Sequence, residues 1–377
     1  MNRVLITGGA GFIGSNLSLA LLAKGYSVTV LDNLAEQVHG SDQEKSSLFS
    51  SIKNKVRFIK GSVESKDAWR EALTLQEVVI HFAAETGTGQ SMYDIDKYSR
   101  VNIGGTSILF DILANEEHTV SKIMIASSRS IYGEGKCLCP EHGVVYPKGR
   151  VEEDMAIGNF HAKCDKCEKN VVALPTDENS KIHPTSFYGI TKRVQEEIVM
   201  TMAPSLGIAP VSLRYQNVYG PGQSLSNPYT GILSIFSTRM KNGNNIEIFE
   251  DGKETRDFVY IDDVISATIC SLESDLANGE VFNVGSGIQT NILTVAESLK
   301  SFYGSKAQLK ISGNYRVGDI RDNFADLNKA KKLLNFEPKI LFAEGIKNFC
   351  QWVNGQEIKE DGYDKSILEM KRKGLFK

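Results

Sequence analysis

The first apolar run, Val4-Leu5-Ile6, is too short for a helix and reads as a buried strand. A glycine-rich turn follows, Gly8-Gly9-Ala10-Gly11-Phe12-Ile13-Gly14, and then a helical spacing of Leu17, Leu21 and Leu22 that stops at Gly25. Residues 28–31 form a second apolar run, closed by Asp32 and Asn33. Runs at 56–60, 78–84 and 122–127 predict three more strands. Between the last two, Val101, Ile108, Leu109, Ile112 and Leu113 predict a long helix over 98–115. Strands alternating with helices predict a Rossmann-like, doubly wound parallel sheet of the α/β class.

The periodicity fails over 134–175, where Cys, His, Gly, Pro and charged residues dominate, and an insertion is expected there. A helix resumes at Ser186, with Val194, Ile198 and Met202 on one side. A strand at 208–215, a helix at 232–240, a hairpin around 250–253 and a late strand at 281–285 follow. The expected division is a nucleotide-binding domain at 1–216 and a smaller, mixed α/β substrate domain at 217–353. Some segments of the second domain return to the sheet. Residues 354–377 read as a charged, peripheral tail.

Composition narrows the partners. A chain of 377 residues has room for about two domains. Its 43 basic and 46 acidic residues leave a net charge of −3, so neither nucleic acid nor a membrane surface is expected as partner. No apolar run approaches the ~20 residues that span a bilayer, and a strand begins at once, without the pattern of a signal peptide. Six cysteines in such a chain are no disulfide framework; four of them cluster, which points to metal in a reducing compartment, and a cytoplasmic location is expected.

The motifs then supply chemistry. Glycines between strand and helix let the backbone approach a pyrophosphate, and the N–H groups of the helix start bind the anion. Asp32 stands 18 residues after Gly14, where a carboxylate accepts from both ribose hydroxyls and repels a 2′-phosphate, so NAD is favoured over NADP. Gly61-Ser62-Val63 is expected near the adenine, and Phe82-Ala83-Ala84 are placed at a strand end where a flat cofactor can pass. The loop 87–91 and Ser128 fall on the same edge. Tyr188 and Lys192, four apart, share one helix face. Cys139-x2-His142 and Cys164-x2-Cys167 are two chelating pairs suited to structural zinc, with Cys137 as a spare; the alternative is a solvated loop with incidental thiols. Arg256 and Arg316 either clamp a diphosphate or pair with Asp257 and Asp319.

Taken together, Gly8-x2-Gly11-x2-Gly14, Ser128, Tyr188-x3-Lys192, the segments 214–221 and 256–264, and Arg316-x-Gly318-Asp319 resemble the extended short-chain dehydrogenase/reductase family. The resemblance covers about residues 1–353 and is specific to the NAD-dependent nucleotide-sugar epimerases and dehydratases. The segments 127–135 and 216–231 and the Cys/His insertion look like the dTDP-L-rhamnose 4-epimerase group within it.

The resemblance implies a catalytic set of Ser128, Tyr188 and Lys192. It implies cofactor contacts from Gly8, Gly11, Phe12, Ile13, Gly14, Asp32, Asn33, Ser62, Val63, Phe82, Ala83, Ala84 and Asn102, besides Tyr188 and Lys192. Substrate contacts are implied from Ser91, Ser128, Ser130, Asn217, Arg256, Arg316 and Asp319. Ser62 departs from the family, where Asp often meets the adenine. The implied reaction is 4-epimerisation of a nucleotide-diphosphate hexose through a 4-keto sugar. Dehydratases carry acidic residues where this chain has Arg129-Ser130, which argues against dehydration. A 4-keto-sugar reductase dependent on NAD(P)H and a non-enzymatic NAD-binding scaffold are the alternatives. A homodimer through the two long helices is expected by resemblance.

Overall fold

The computed structural model describes residues 2–229 and 231–377; Met1 and Thr230, the latter within the 216–231 motif, lie outside the described residues. Seven parallel strands form the main sheet, in the order Glu280–Val284, Ala209–Tyr215, Lys122–Ser128, Val78–His81, Arg3–Thr7, Ser27–Asp32, Arg57–Lys60. Alternate side chains divide between two cores. Val4, Ile6, Val28, Val30 and Met124 face one layer, while Leu5, Leu31, Val79, Ile123 and Ile125 face the other. Burial on both faces explains why these strands read as unbroken apolar runs. From Arg3–Thr7 the chain moves outward to Arg57–Lys60 and then returns to the other side at Val78–His81, so the sheet reverses direction beside the glycine turn. Ligands bind such sheets in the crevice at that reversal.

The late strand is the edge of this sheet, and the helix Ile261–Glu273 packs on the first helix, Phe12–Ala23. After residue 216 the chain therefore leaves the sheet layer, returns to it over 261–284 and leaves it again. The remaining C-terminal segments build a small sheet from Asn217–Tyr219, Thr255–Tyr260, Gln289–Asn291 and Asp322–Asn323, and a parallel pair, Ile246–Ile248 with Leu309–Ile311.

Three expectations are corrected. The 250–253 turn does not close a hairpin, because the strands on either side of it belong to different sheets. The turn's sequence sets the local bend, with Glu250 and Gly252 both at positive φ, while the partners come from distant segments. The long helix starts earlier, at Ile95, and passes through a π-helical turn, Ser99–Gly104, before Gly105–Asn115. The tail is not peripheral: its helix Tyr363–Arg372 buries Tyr363, Ile367 and Met370, and Phe376 is buried behind it. Those three residues stand at i, i+4 and i+7, an apolar stripe hidden among charges.

The insertion folds as a three-stranded antiparallel sheet, Gly143–Val145 beside Cys137–Cys139 beside Val172–Ala173. Its own buried apolar cluster holds little more than Cys137, Cys139, Ala162, Cys164 and Val171, too little to stabilise a module alone.

Candidate active site

The glycine turn is shaped by close approaches. Gly8 has φ +66°, and a Cβ there would lie 2.8 Å from the Ala83 nitrogen; a Cβ on Gly14 would lie 2.4 Å from the Gly8 carbonyl oxygen. The helix Phe12–Ala23 carries no side-chain cap and no acid in its first turn, so its leading N–H groups are open to an anion. Asp32 closes the neighbouring strand. Its carboxylate accepts from the Ala10 N–H at 2.9 Å and the Leu34 N–H at 2.8 Å, which ties the turn to the strand end. Burial pushes this carboxyl up, against those two donors and nearby His39. Each oxygen keeps a second lone pair for a ribose hydroxyl. The cradle fits a dinucleotide.

Several implied cofactor and substrate contacts take other roles. Asn102 lies in the π-helical turn and is fully buried. Its amide oxygen accepts from Glu85 N–H at 2.8 Å, and its nitrogen donates to Glu85 O at 3.1 Å and Thr191 Oγ1 at 2.9 Å. It joins Glu85 to Thr191 of the helix Phe187–Ser205, and its side chain is enclosed by these partners. Val63 turns its side chain into the core beside Gly105. Ser91, expected at the sugar, is also fully buried; its Oγ donates to Thr88 O at 2.6 Å and accepts the Tyr188 N–H at 2.9 Å. It fixes the start of the helix Phe187–Ser205 instead. Asn33, Ser62, Phe82, Ala83 and Ala84 remain partly or fully exposed along the edge.

The helix Phe187–Ser205 is capped by Ser186, whose Oγ accepts the Gly189 N–H at 3.1 Å. A Cβ on Gly189 would lie 2.6 Å from Ser130 O, so glycine here lets the helix dock against the strand end that carries Ser128. Ser130 Oγ donates to Ser128 Oγ at 2.9 Å. Tyr188 is half-buried, with its ring edge-on to Tyr98 at 6.5 Å. Burial raises its pKa, opposed by a hydrogen bond with Ser128 and by the positive charge of Arg129.

Lys192 is almost fully buried, and burial pulls its pKa down to about 7 despite Glu196 one turn away. Its Nζ donates to Gln195 Oε1 at 2.8 Å, Gln195 Nε2 donates to Thr106 Oγ1 at 2.9 Å, and Thr106 donates to Asn102 O. His81 joins Thr106 at 3.0 Å and Thr7 Oγ1 at 2.7 Å. Because the Thr106 proton is already directed to Asn102 O, His81 donates from Nε2 and accepts at Nδ1 from Thr7. The ring is neutral, with burial and Lys192 holding its pKa at about 3. Glu196 is charge-balanced by Arg214, whose Nη2 and Nε donate to its two oxygens at 2.5 and 3.1 Å.

Arg129 was expected only as a missing acid, yet its guanidinium lines the cleft. Nε donates to Asn217 Oδ1 at 3.0 Å, and burial lowers its pKa to about 10, helped by Arg256 and opposed by Asp319, Tyr188 and Glu134. Arg256 is committed within the protein, to Asp319 Oδ1 at 2.9 Å and to the carbonyls of Thr255, Ile320 and Arg321. Burial pushes the Asp319 carboxyl up, but Arg256, Arg316, Arg150 and Arg129 outweigh it and hold the pKa at about 2. Arg316 stacks over Phe249 at 4.7 Å.

In the insertion, the side-chain ligand atoms of Cys139, His142, Cys164 and Cys167 lie within 4.8 Å of one another. Cys137 is set apart, its thiol directed to Glu134 O at 3.8 Å and pushed by burial to about 12. All six cysteines are free of disulfides. Among the described residues, no helix is long and apolar enough to cross a membrane.

The sequence profile of the NAD dependent epimerase/dehydratase family matches residues 4–149 and 165–285, and the gap falls inside the Cys/His insertion. A dTDP-L-rhamnose 4-epimerase of Burkholderia thailandensis is 35% identical over 361 residues, 94% of this chain and 96% of its own. A putative UDP-glucose 4-epimerase of Methanocaldococcus jannaschii is 31% identical over 93% of this chain and 98% of its own. Among solved structures, the UDP-glucuronic acid 4-epimerase of Bacillus cereus with UDP-glucuronic acid and NAD superposes with a TM-score of 0.77 at 27% identity, covering 93% of this chain and 99% of that one. The Thermotoga maritima UDP-glucose 4-epimerase with UDP-glucose gives 0.74 at 30% identity, covering 93% and 98%.

Proposed function

The chain belongs to the NAD dependent epimerase/dehydratase family, and from that premise we propose that it inverts C4 of a nucleotide-diphosphate hexose, with a dTDP-linked 6-deoxy sugar as the first candidate. It is an NAD-dependent nucleotide-sugar epimerase. The observation that carries the finer reading is the hydrogen bond between Ser128 and Tyr188 at the strand end, on the helix that also carries Lys192 one turn on.

In this reaction Tyr188 takes the proton of the sugar 4-hydroxyl while Ser128 hydrogen-bonds the same oxygen. A phenol with an ordinary pKa of ~10 is a weak base at neutral pH, so it needs positive charge nearby. Arg129 supplies that charge within the protein. NAD, when bound, would supply the redox chemistry at C4. The resulting 4-keto sugar turns in the cleft and is reduced on its other face, and Tyr188 returns its proton to the new alkoxide. Gly8, Gly11, Gly14 and Asp32 would hold the dinucleotide, and Asn217, Arg129 and the Arg316–Asp319 loop the nucleotide sugar.

We also assign zinc to Cys139, His142, Cys164 and Cys167. Four N/S ligands fill a tetrahedral shell and leave no open position, so the ion is structural. A second copy of the chain is expected on the helix pair 105–115 and 187–205, where Ile190 and Met202 are exposed. The free thiols fit a reducing, cytoplasmic compartment.

The test is turnover of a panel of dTDP-, UDP- and GDP-sugars in deuterated solvent. Inversion at C4 without deuterium at C4, by protein that purifies with bound NAD, is the expected result. Deuterium at C4 would end this reading.

A further inference from the structure

Three of the spacings in the Cys/His cluster match the edges of a tetrahedral zinc shell. From Zn–S near 2.3 Å and Zn–N near 2.0–2.1 Å, a tetrahedron has edges of about 3.8 Å between sulfurs and about 3.5–3.6 Å between sulfur and nitrogen. Here Cys139 Sγ lies 3.6 Å from His142 Nδ1 and 3.6 Å from Cys167 Sγ, and Cys164 Sγ lies 3.6 Å from His142 Nδ1. Backbone N–H groups of Glu141 and His142 point at the Cys139 sulfur, and that of Lys169 at Cys167.

The same module sends one side chain into the rest of the molecule. Arg150 is fully buried, and its guanidinium spans three separate segments. It pairs with both Glu250 oxygens at 2.8 Å, donates to Asp319 O at 3.0 Å, and lies 3.4 Å from Glu134. It also donates to Phe160 O, inside the insertion, at 3.0 Å. Asp319 is the partner of Arg256, and Arg321, two residues on, pairs with Glu250 and Asp251. The 316–321 loop is thus held between the insertion and the small sheet. Its charge reaches Arg129 and, through Arg129, the side of the cleft where Tyr188 stands.

We propose that the zinc ion is an anchor for the substrate wall: by closing the insertion it holds Arg150 in place, and Arg150 holds the 316–321 loop against the cleft. The inference rests on the zinc assignment and on the nucleotide-sugar reading. Without the metal, the weak core of the insertion cannot fix 148–165, Glu250 and Glu134 lose a buried cation, and the Asp319 carbonyl loses the donor that ties its loop to the insertion.

The test combines metal content, hydrogen exchange and kinetics on the full chain. Purified protein is expected to contain one zinc per chain by mass spectrometry of the metal. Chelated protein and Cys164→Ser/Cys167→Ser are expected to lose it, to exchange amides faster at 316–321, and to raise KM by about ten-fold or more with a smaller change in kcat. Arg150→Ala is expected to keep its zinc and reproduce both the exchange and the KM change. Stoichiometric zinc with unchanged 316–321 exchange in the chelated protein would overturn the coupling. So would an Arg150→Ala protein with wild-type exchange. Protein that binds no added zinc would overturn the site itself. Failure of the wild type to epimerise any sugar would count against the function alone, because metal content and exchange are read without substrate.

Discussion

Lys192 donates its hydrogen bond to Gln195, at 2.8 Å, and Tyr188 feels Arg129 as its cationic neighbour. The two residues that share a helix face by sequence therefore answer to different partners before any ligand arrives. Gln195 is itself fixed by Thr106, and Thr106 by Asn102 and His81. Loss of a neutral acceptor for a buried ammonium costs about 1.5–3 kcal/mol. Gln195→Leu is expected to lower kcat by about ten-fold or more while bound NAD is retained, as read from cofactor released on denaturation. A wild-type kcat in this variant would show that Gln195 does not position the lysine.

Burial sets the sign of a pH effect at Lys192. Its folded pKa, about 7, lies below its unfolded value near 10.5. Between those values the native state binds fewer protons than the unfolded chain, so stability rises with pH across that window. Below pH 7 the full cost of burying the ammonium is present. Lys192→Met removes the cost, and the NAD-free variant is expected to be inactive yet more stable than wild type at pH 6, by an amount on the order of a few kcal/mol. The gap should close towards pH 10. Denaturant midpoints at the two pH values decide it.

Arg129 gives a kinetic counterpart. Its charge favours the Tyr188 phenolate, so removing it lets burial raise the phenol pKa further. The ascending limb of kcat against pH is expected to move to higher pH in Arg129→Ala, with a fall in activity at pH 7 and recovery at alkaline pH. Arg129→Lys should restore part of the shift. A uniform fall at every pH would instead mark Arg129 as a contact of substrate binding alone.

What was legible in the sequence was local. The glycine turn, Asp32 and the Tyr188/Lys192 pair each declare themselves within one strand or one helix turn, where spacing fixes geometry. The Cys/His pairs are legible for the same reason, since each chelating pair spans four residues. Arg150 was not legible, because its partners stand at 134, 250 and 319, and charged residues at such separations carry no shared spacing. Asn102 and Ser91 were misplaced because a polar residue near a strand end can serve either the ligand or the helix that receives it. Arg129 was visible only as the absence of an acid; a guanidinium directly after Ser128 was the signal that could have marked it.

Gly14 offers a steric test of the cofactor cradle. A Cβ there would lie 2.4 Å from Gly8 O and 2.6 Å from Gly9 Cα, both backbone atoms that cannot swing aside. Gly14→Ala is expected to cost about 1–3 kcal/mol in stability as the turn is forced apart. It should also purify without NAD. Normal cofactor content with a normal midpoint would place the dinucleotide elsewhere.

The buried tail makes a prediction that its charged composition hides. Phe376 packs edge-on against Phe249 at 4.9 Å, and Phe249 carries Arg316 on its ring. The backbone reinforces the contact: Tyr315 N–H donates to Lys377 O at 2.8 Å, and Val317 N–H to Leu375 O at 3.0 Å. On the other side, Lys373 lies over Tyr93, and Met370 sits against Gly89. The tail thus braces both the 315–318 segment and the 89–93 segment. Truncating a buried Phe costs about 3–5 kcal/mol, and part of that loss should appear as freedom of Arg316. Phe376→Ala is expected to raise KM for the nucleotide sugar several-fold, with kcat changed less, because the start of the helix Phe187–Ser205 is held by Ser186 and Ser91 and not by the tail. Faster amide exchange at 315–318 should accompany it. If kcat falls as steeply as KM rises, the tail acts on the chemistry as well as on the 315–318 segment.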